Sequence, residues 1–108
     1  MRKVIAVDFD GTLCESKYPK IGRPYYKMIN LIKLKKKQGY GIILWTCRTD
    51  HNLENAVEWC KKQGLVFDAV NENLPERIRI FGNDPRKIGA DIYIDDKAFP
   101  AWSIPKDI

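Results

Sequence analysis

The sequence predicts an α/β domain built on a parallel sheet, and three observations carry that prediction. Four short apolar segments, residues 3–8, 41–46, 66–70 and 91–95, read as strands. Helical patterns fall between them, as expected of βαβ units with right-handed crossovers. Polar and acidic residues follow the first, second and fourth segments at their carboxyl ends, the edge of an open parallel sheet where ligands collect. At 108 residues the chain has room for a single domain, residues 1–108, with a modest core.

Val4-Ile5-Ala6-Val7 is an unbroken apolar run, consistent with a strand covered on both faces. It leads into Asp8-Phe9-Asp10-Gly11-Thr12-Leu13. Residues two apart on an extended chain share a side, so Asp8 and Asp10 are expected in one cleft, with Gly11 turning the backbone away. Pro24 suits a first helical turn, and Tyr25, Met28, Ile29, Leu31, Ile32 and Leu34 form a broad apolar face before Gly39 stops the helix. Lys33, Lys35, Lys36 and Lys37 read as a solvated face near the helix C-terminus, where cations suit the dipole.

The second strand ends in Thr46-Cys47-Arg48-Thr49, a hydroxyl and a guanidinium that both suit phosphate binding. Leu53, Ala56, Val57 and Cys60 recur at helical spacing, predicting a helix over residues 53–63 with Gly64 as its stop. His51, the single histidine, reads as a helix-entry residue. Residues 71–86 read mainly as loop, with a short helix at 75–80. The fourth strand runs into Asp95-Asp96, and Phe99, Pro100, Trp102 and Pro105 mark a tail of irregular chain or a short extra strand.

The composition, 44% hydrophobic and 31% charged, excludes a disordered chain. The apolar run near the amino end is too short for a signal peptide and no span reaches membrane length, so a cytoplasmic protein without membrane contact is expected. Cys14, Cys47 and Cys60 are odd in number and lack CxxC spacing, which predicts reduced thiols. The net charge of +5 leaves a nucleic-acid partner open. Arg77, Arg79, Arg86 and Lys87 lead into the second acidic motif and read equally as the lining of its cleft or as a solubilising surface.

Asp8, Asp10, Asp95 and Asp96 at one sheet edge would repel one another unless a cation or proton sat among them. Hard oxygen ligands suit Mg²⁺, which keeps waters and substrate phosphate for its other positions. Lys87, in the connection entering the fourth strand, offers an ammonium to offset acids and a bound phosphoryl group. Singly, each has a bland reading: a capped turn for Asp8-x-Asp10, a β-branched strand residue for Thr46, a surface ion pair for Arg48, a solvated side chain for Lys87. Their shared location makes coincidence a poor explanation.

These residues resemble the haloacid dehalogenase-like hydrolase superfamily, whose first motif, DxDGT, reads here Asp8-Phe9-Asp10-Gly11-Thr12. Thr46 looks like its second motif, Lys87 its third and Asp95-Asp96 its fourth, so the resemblance spans nearly the whole chain. It implies a Rossmann-like three-layer sandwich with a mainly parallel central sheet, strand one lying between strands two and four. It also implies a phosphatase: Asp8 as nucleophile forming an aspartyl-phosphate, Asp10 as general acid then base, and Thr46 holding phosphoryl oxygens. The implied metal is Mg²⁺, held by Asp8, the Asp10 main-chain carbonyl and a motif-four carboxylate, with Asp96 favoured over Asp95. An acid at position 10 separates the superfamily's phosphotransferases from its dehalogenases. The gaps are too short for a large cap domain, which implies a capless core and an open site that a second subunit could complete.

Two other readings stand beside it. A phosphoacceptor receiver domain uses similar residue types, but the third strand ends near Val70-Asn71 without the acid a receiver needs. A nucleic-acid-binding module is motivated by the net charge and would show steep salt dependence without hydrolysis. Arg48 and Lys87 are expected to bind substrate, with Tyr18, Lys20 and Arg23 near its access route. The expected substrate is a phosphorylated small molecule, a nucleotide or a polynucleotide end.

Overall fold

The computed structural model describes residues 1–103, 106 and 107. The strands β1 (Val4–Val7), β4 (Gly41–Leu44), β5 (Ala69–Val70) and β6 (Ile92–Ile94) form a four-stranded sheet in the order β5-β4-β1-β6. Every pairing in it is parallel. Strand β1 is central, flanked by β4 and β6, the order the resemblance implies.

Alternation along the buried strands divides the core. Ile5 and Val7 of β1 and Ile42 and Leu44 of β4 face helices α1 (Tyr26–Lys37) and α2 (Asp50–Lys62), meeting Ile29, Ile32, Ala56 and Cys60. Val4, Ala6 and Ile43 face the other way, under Leu74 and Ile88. Leu74 precedes α3 (Pro75–Phe81), which has Pro75 at its start and Gly82 in the left-handed region as its stop. The lysine run closes α1.

The structure corrects several expectations. The connection after β1 contains an antiparallel hairpin, β2 (Cys14–Lys17) and β3 (Lys20–Pro24), and Pro24 pairs with Cys14 inside it. Pro24 therefore ends a strand, where its missing N–H costs no ladder bond, and the helix starts at Tyr26. The apolar face of α1 is only partly covered: Ile29 and Ile32 are buried, whereas Leu31 and Leu34 are exposed. The third predicted strand shrinks to Ala69–Val70: the Asp68 N–H donates to the Ile42 carbonyl at 2.8 Å, but the Ile42 N–H goes to the Asp68 carboxylate, also at 2.8 Å, instead of to a backbone carbonyl. Helix α2 starts three residues early, at Asp50. The tail through Ser103 is irregular, and Pro105 lies outside the described residues. All three cysteines are free, Cys14 and Cys60 buried and Cys47 exposed. No helix among the described residues is long and apolar enough to cross a membrane.

Candidate active site

Two backbone bonds beyond the ladders bring the polar strand ends together. The Asp8 N–H donates to the Ile94 carbonyl at 3.0 Å, seating Asp8 beside the end of β6, and the Trp45 N–H donates to the Val7 carbonyl at 2.9 Å, carrying β4 alongside. Carboxylate oxygens of Asp8, Asp95 and Asp96 consequently lie within 4.8 Å of one another. They line a hollow of about 420 Å³ with Asp10, Ser16, Trp45, Thr46, Cys47 and Lys97.

The acids stand in different surroundings. Asp8 is half-buried, and burial is the main cause that pushes its carboxyl up to about 6; Asp95, Asp96 and Asp10 add repulsion, while a bond from the Phe9 N–H at 2.8 Å opposes the rise. Asp96 is exposed; burial of its carboxylate is the largest single influence and acts upward, but the Lys97 ammonium at 3.2 Å and a bond with Asp95 hold it below the usual range. Asp95 accepts the Lys97 N–H at 2.9 Å, which turns the chain immediately after the acidic pair.

Asp10 lines the same hollow, but its carboxylate is outside the Asp8, Asp95 and Asp96 group. Instead it receives a two-pronged ion pair from Arg48, Nε to Oδ2 and Nη2 to Oδ1, both at 2.8 Å. The remaining Arg48 N–H groups donate to the carbonyls of Pro19 at 3.0 Å, Lys20 at 3.0 Å and Asn52 at 3.4 Å. Its guanidinium carbon lies 5.0 Å from the ring centroids of both Phe9 and Tyr18. With the residue 1% exposed and all five donors engaged, Arg48 is not a substrate-binding residue. It ties the tip of the hairpin and the first turn of α2 to Asp10. The same contacts draw Tyr18 and Lys20 into this clamp, while Arg23 is exposed and paired with Glu15.

Thr46 faces the hollow, its Oγ1 accepting the Arg48 N–H at 3.1 Å and its own N–H donating to Asn71 Oδ1 at 2.8 Å. Asn71 adopts a positive φ of 54°, a conformation asparagine tolerates better than most residues. Lys87 lies in a larger adjoining hollow, sharing its wall with Asp8 and Asp95, and its ammonium sits 5.6 Å from the Tyr93 ring centroid. The cation in contact with the acidic pair is Lys97. Arg77 turns away to Asp91 at 3.2 Å, before the start of β6, so the basic cluster does not act as one patch in the cleft. His51 is exposed near Glu54 on the first turn of α2, as a helix-entry residue should be.

Lys97, Asn71 and Ser16 are not among the site residues expected from the sequence. Adjacency to Asp96 signals Lys97, and an asparagine at a strand end signals the left-handed turn at Asn71. Ser16 enters only through the hairpin.

Gly11 is required twice over. Its φ is +80°, and a Cβ there would overlap the Asp96 carboxylate. Gly11→Ala is therefore expected to displace Asp96 from the acidic group, with a backbone cost of about 1–2 kcal/mol. A melting curve checks the cost, and a calorimetric titration with a divalent cation, which the three carboxylates could hold, checks the displacement.

No protein-family model matches the chain, and no curated protein matches it. Among solved structures, it is similar to a conserved protein from Bacteroides thetaiotaomicron, at 39% identity and a TM-score of 0.78. The alignment covers 97% of this chain and 83% of the other.

Proposed function

The chain belongs to the family of that conserved Bacteroides thetaiotaomicron protein, and we propose that it is a Mg²⁺-dependent phosphohydrolase of haloacid dehalogenase type on a capless α/β core. The observation that carries this reading is the meeting of Asp8 with Asp95 and Asp96 at the ends of adjacent parallel strands, next to Thr46. Three hard oxygen donors within 4.8 Å suit a small dication and leave room for phosphate. Asp8 and Asp96 would hold it directly, with the Asp10 main-chain carbonyl, while Asp95 braces the turn through Lys97. Bound Mg²⁺ supplies positive charge against the transferring phosphoryl group.

The residues divide the chemistry. An Asp8 oxygen attacks phosphorus in line, forming the new P–O bond of an aspartyl-phosphate as the ester P–O bond breaks. Asp10 gives its proton to the departing oxygen, then takes one from the water that attacks phosphorus, as the aspartyl P–O bond breaks to release inorganic phosphate and return the Asp8 carboxylate. The Arg48 fork uses one lone-pair site on each Asp10 oxygen and leaves the other for that proton. The Thr46 hydroxyl, accepting from the backbone, retains its hydrogen for a phosphoryl oxygen.

The test is release of inorganic phosphate from monoesters with Mg²⁺ and after chelation. Asp8 must lose its proton to take the metal, so Mg²⁺ affinity should fall roughly tenfold per pH unit below about 6 and level off above it. Hydrolysis indifferent to chelation, or an affinity flat across that range, would refute the assignment.

A further inference from the structure

We propose that the phosphate monoester handled by this site is carried by a nucleoside, whose base lies against an aromatic wall beside Asp8 and Asp95. The proposal rests on the phosphohydrolase reading above and extends it to a substrate class. Two hollows meet at Asp8, Asp95 and Trp45: the acidic one of about 420 Å³, and a larger one of about 840 Å³ lined by Trp45, Tyr93, Phe99, Trp102 and Lys87. Together they offer a place for phosphate and a separate place for its carrier.

The character of the second hollow is unusual for a surface. Trp45 is 37% exposed, Tyr93 40%, Phe99 44% and Trp102 88%, so four large rings are held out of the core on one wall next to the acids. Trp45 and Tyr93 are tilted at 50° with centroids 5.6 Å apart, which anchors the pair without stacking the two rings on each other. Tyr93 is fixed from behind, its hydroxyl donating to the Ile88 carbonyl. Lys87 places an ammonium over the same ring, within the hollow.

Such a wall suits a flat π-system joined to an anion. A volume near 840 Å³ lies within the roughly 300–1,000 Å³ of ligand sites and accommodates base and ribose together. A phosphorylated triose or pentose would leave most of the aromatic surface wet. Stacking reads no base edge, because every base has a π-face, so little discrimination among bases is expected. A free nucleotide and the phosphorylated end of a strand present the same chemistry.

The experiment compares kcat/KM of the full chain with Mg²⁺ for adenosine and cytidine monophosphates, ribose 5-phosphate and a 5′-phosphorylated oligonucleotide. Base stacking worth about 1–3 kcal/mol predicts a preference of roughly 5- to 150-fold for nucleoside phosphates over ribose 5-phosphate. Trp45→Leu and Trp102→Ala should shrink that ratio, mainly through KM. Turnover of the oligonucleotide alone keeps the nucleoside and assigns the strand end. Ribose 5-phosphate used equally well overturns the nucleoside and leaves the phosphohydrolase intact. If nothing is hydrolysed, the phosphohydrolase reading fails, and tryptophan fluorescence decides the aromatic wall separately. Quenching by adenosine monophosphate but not ribose 5-phosphate, lost in Trp102→Ala, supports it, and no quenching overturns it. A dimer that buries Trp102 in sedimentation and footprinting also overturns it.

Discussion

Arg48→Ala is expected to cost about 3–5 kcal/mol, the usual result of stripping one partner from a buried ion pair. For a small domain whose whole stability is about 5–15 kcal/mol, that is enough to populate the unfolded chain. The loss has three parts. Asp10 would lose the fork on both of its oxygens, the carbonyls of Pro19, Lys20 and Asn52 would lose their donor, and the space between the Phe9 and Tyr18 rings would empty. Arg48→Lys should recover part of the stability, since an ammonium keeps the charge but has three donors and no planar fork. Urea unfolding gives the free energies, and amide exchange across β2 and β3 should rise first, because Arg48 anchors the hairpin tip. In the cycle of Arg48→Gln with Asp10→Asn, the double variant should lose less than the sum of the singles. An Arg48→Ala protein with the wild-type urea midpoint would mean that the clamp does not hold the fold.

That clamp shows where a sequence stops speaking. An arginine two residues past a strand-ending threonine looks the same whether it faces a phosphate or turns inward. Only the return of the hairpin, bringing the Pro19 and Lys20 carbonyls over it, makes the inward choice favourable. The hairpin itself is poorly marked: Cys-Glu-Ser-Lys and Lys-Ile-Gly-Arg-Pro lack the apolar alternation of a half-buried strand, and Gly22 and Pro24 resemble breakers. Gly22 is there because a Cβ would strike the Glu15 carbonyl across the pair, a tertiary fact. Strands β1 and β4 were legible because each is apolar at every position, as central parallel strands must be. The meeting of Asp8 with Asp95 and Asp96 was legible for the same reason, since parallel neighbours bring their carboxyl ends to one edge. Leu31 and Leu34 misled because periodicity reports an apolar face and does not report whether anything covers it.

Asp8→Asn should abolish turnover and at the same time make the metal-free protein more stable near neutral pH. Loss of the nucleophile is expected to lower kcat by roughly 10³-fold or more, since an amide cannot form the acyl phosphate and the other groups act only with it. The stability gain follows from the raised carboxyl. In the folded chain it titrates at about 6, against an ordinary value of 3.8, so the folded state binds the proton more tightly than the unfolded state. Its contribution to stability is complete below about 4, falls as pH rises toward about 6, and is flat beyond. The asparagine carries no charge into this half-buried position and can still accept the Phe9 N–H. Allowing for partial exposure, the metal-free variant should gain about 1–2 kcal/mol at pH near 7 over wild type, and the gain should shrink to nothing near pH 4. On the phosphohydrolase reading Mg²⁺ should reverse the order, because it would stabilise wild type by mass action and would lack one ligand in the variant. Melting curves at several pH values, in chelator and in Mg²⁺, therefore separate a half-buried carboxylate that takes a metal from an ordinary surface acid. Undiminished turnover would dismiss Asp8 as nucleophile, and a variant destabilised equally at every pH would show that its carboxylate supports the fold.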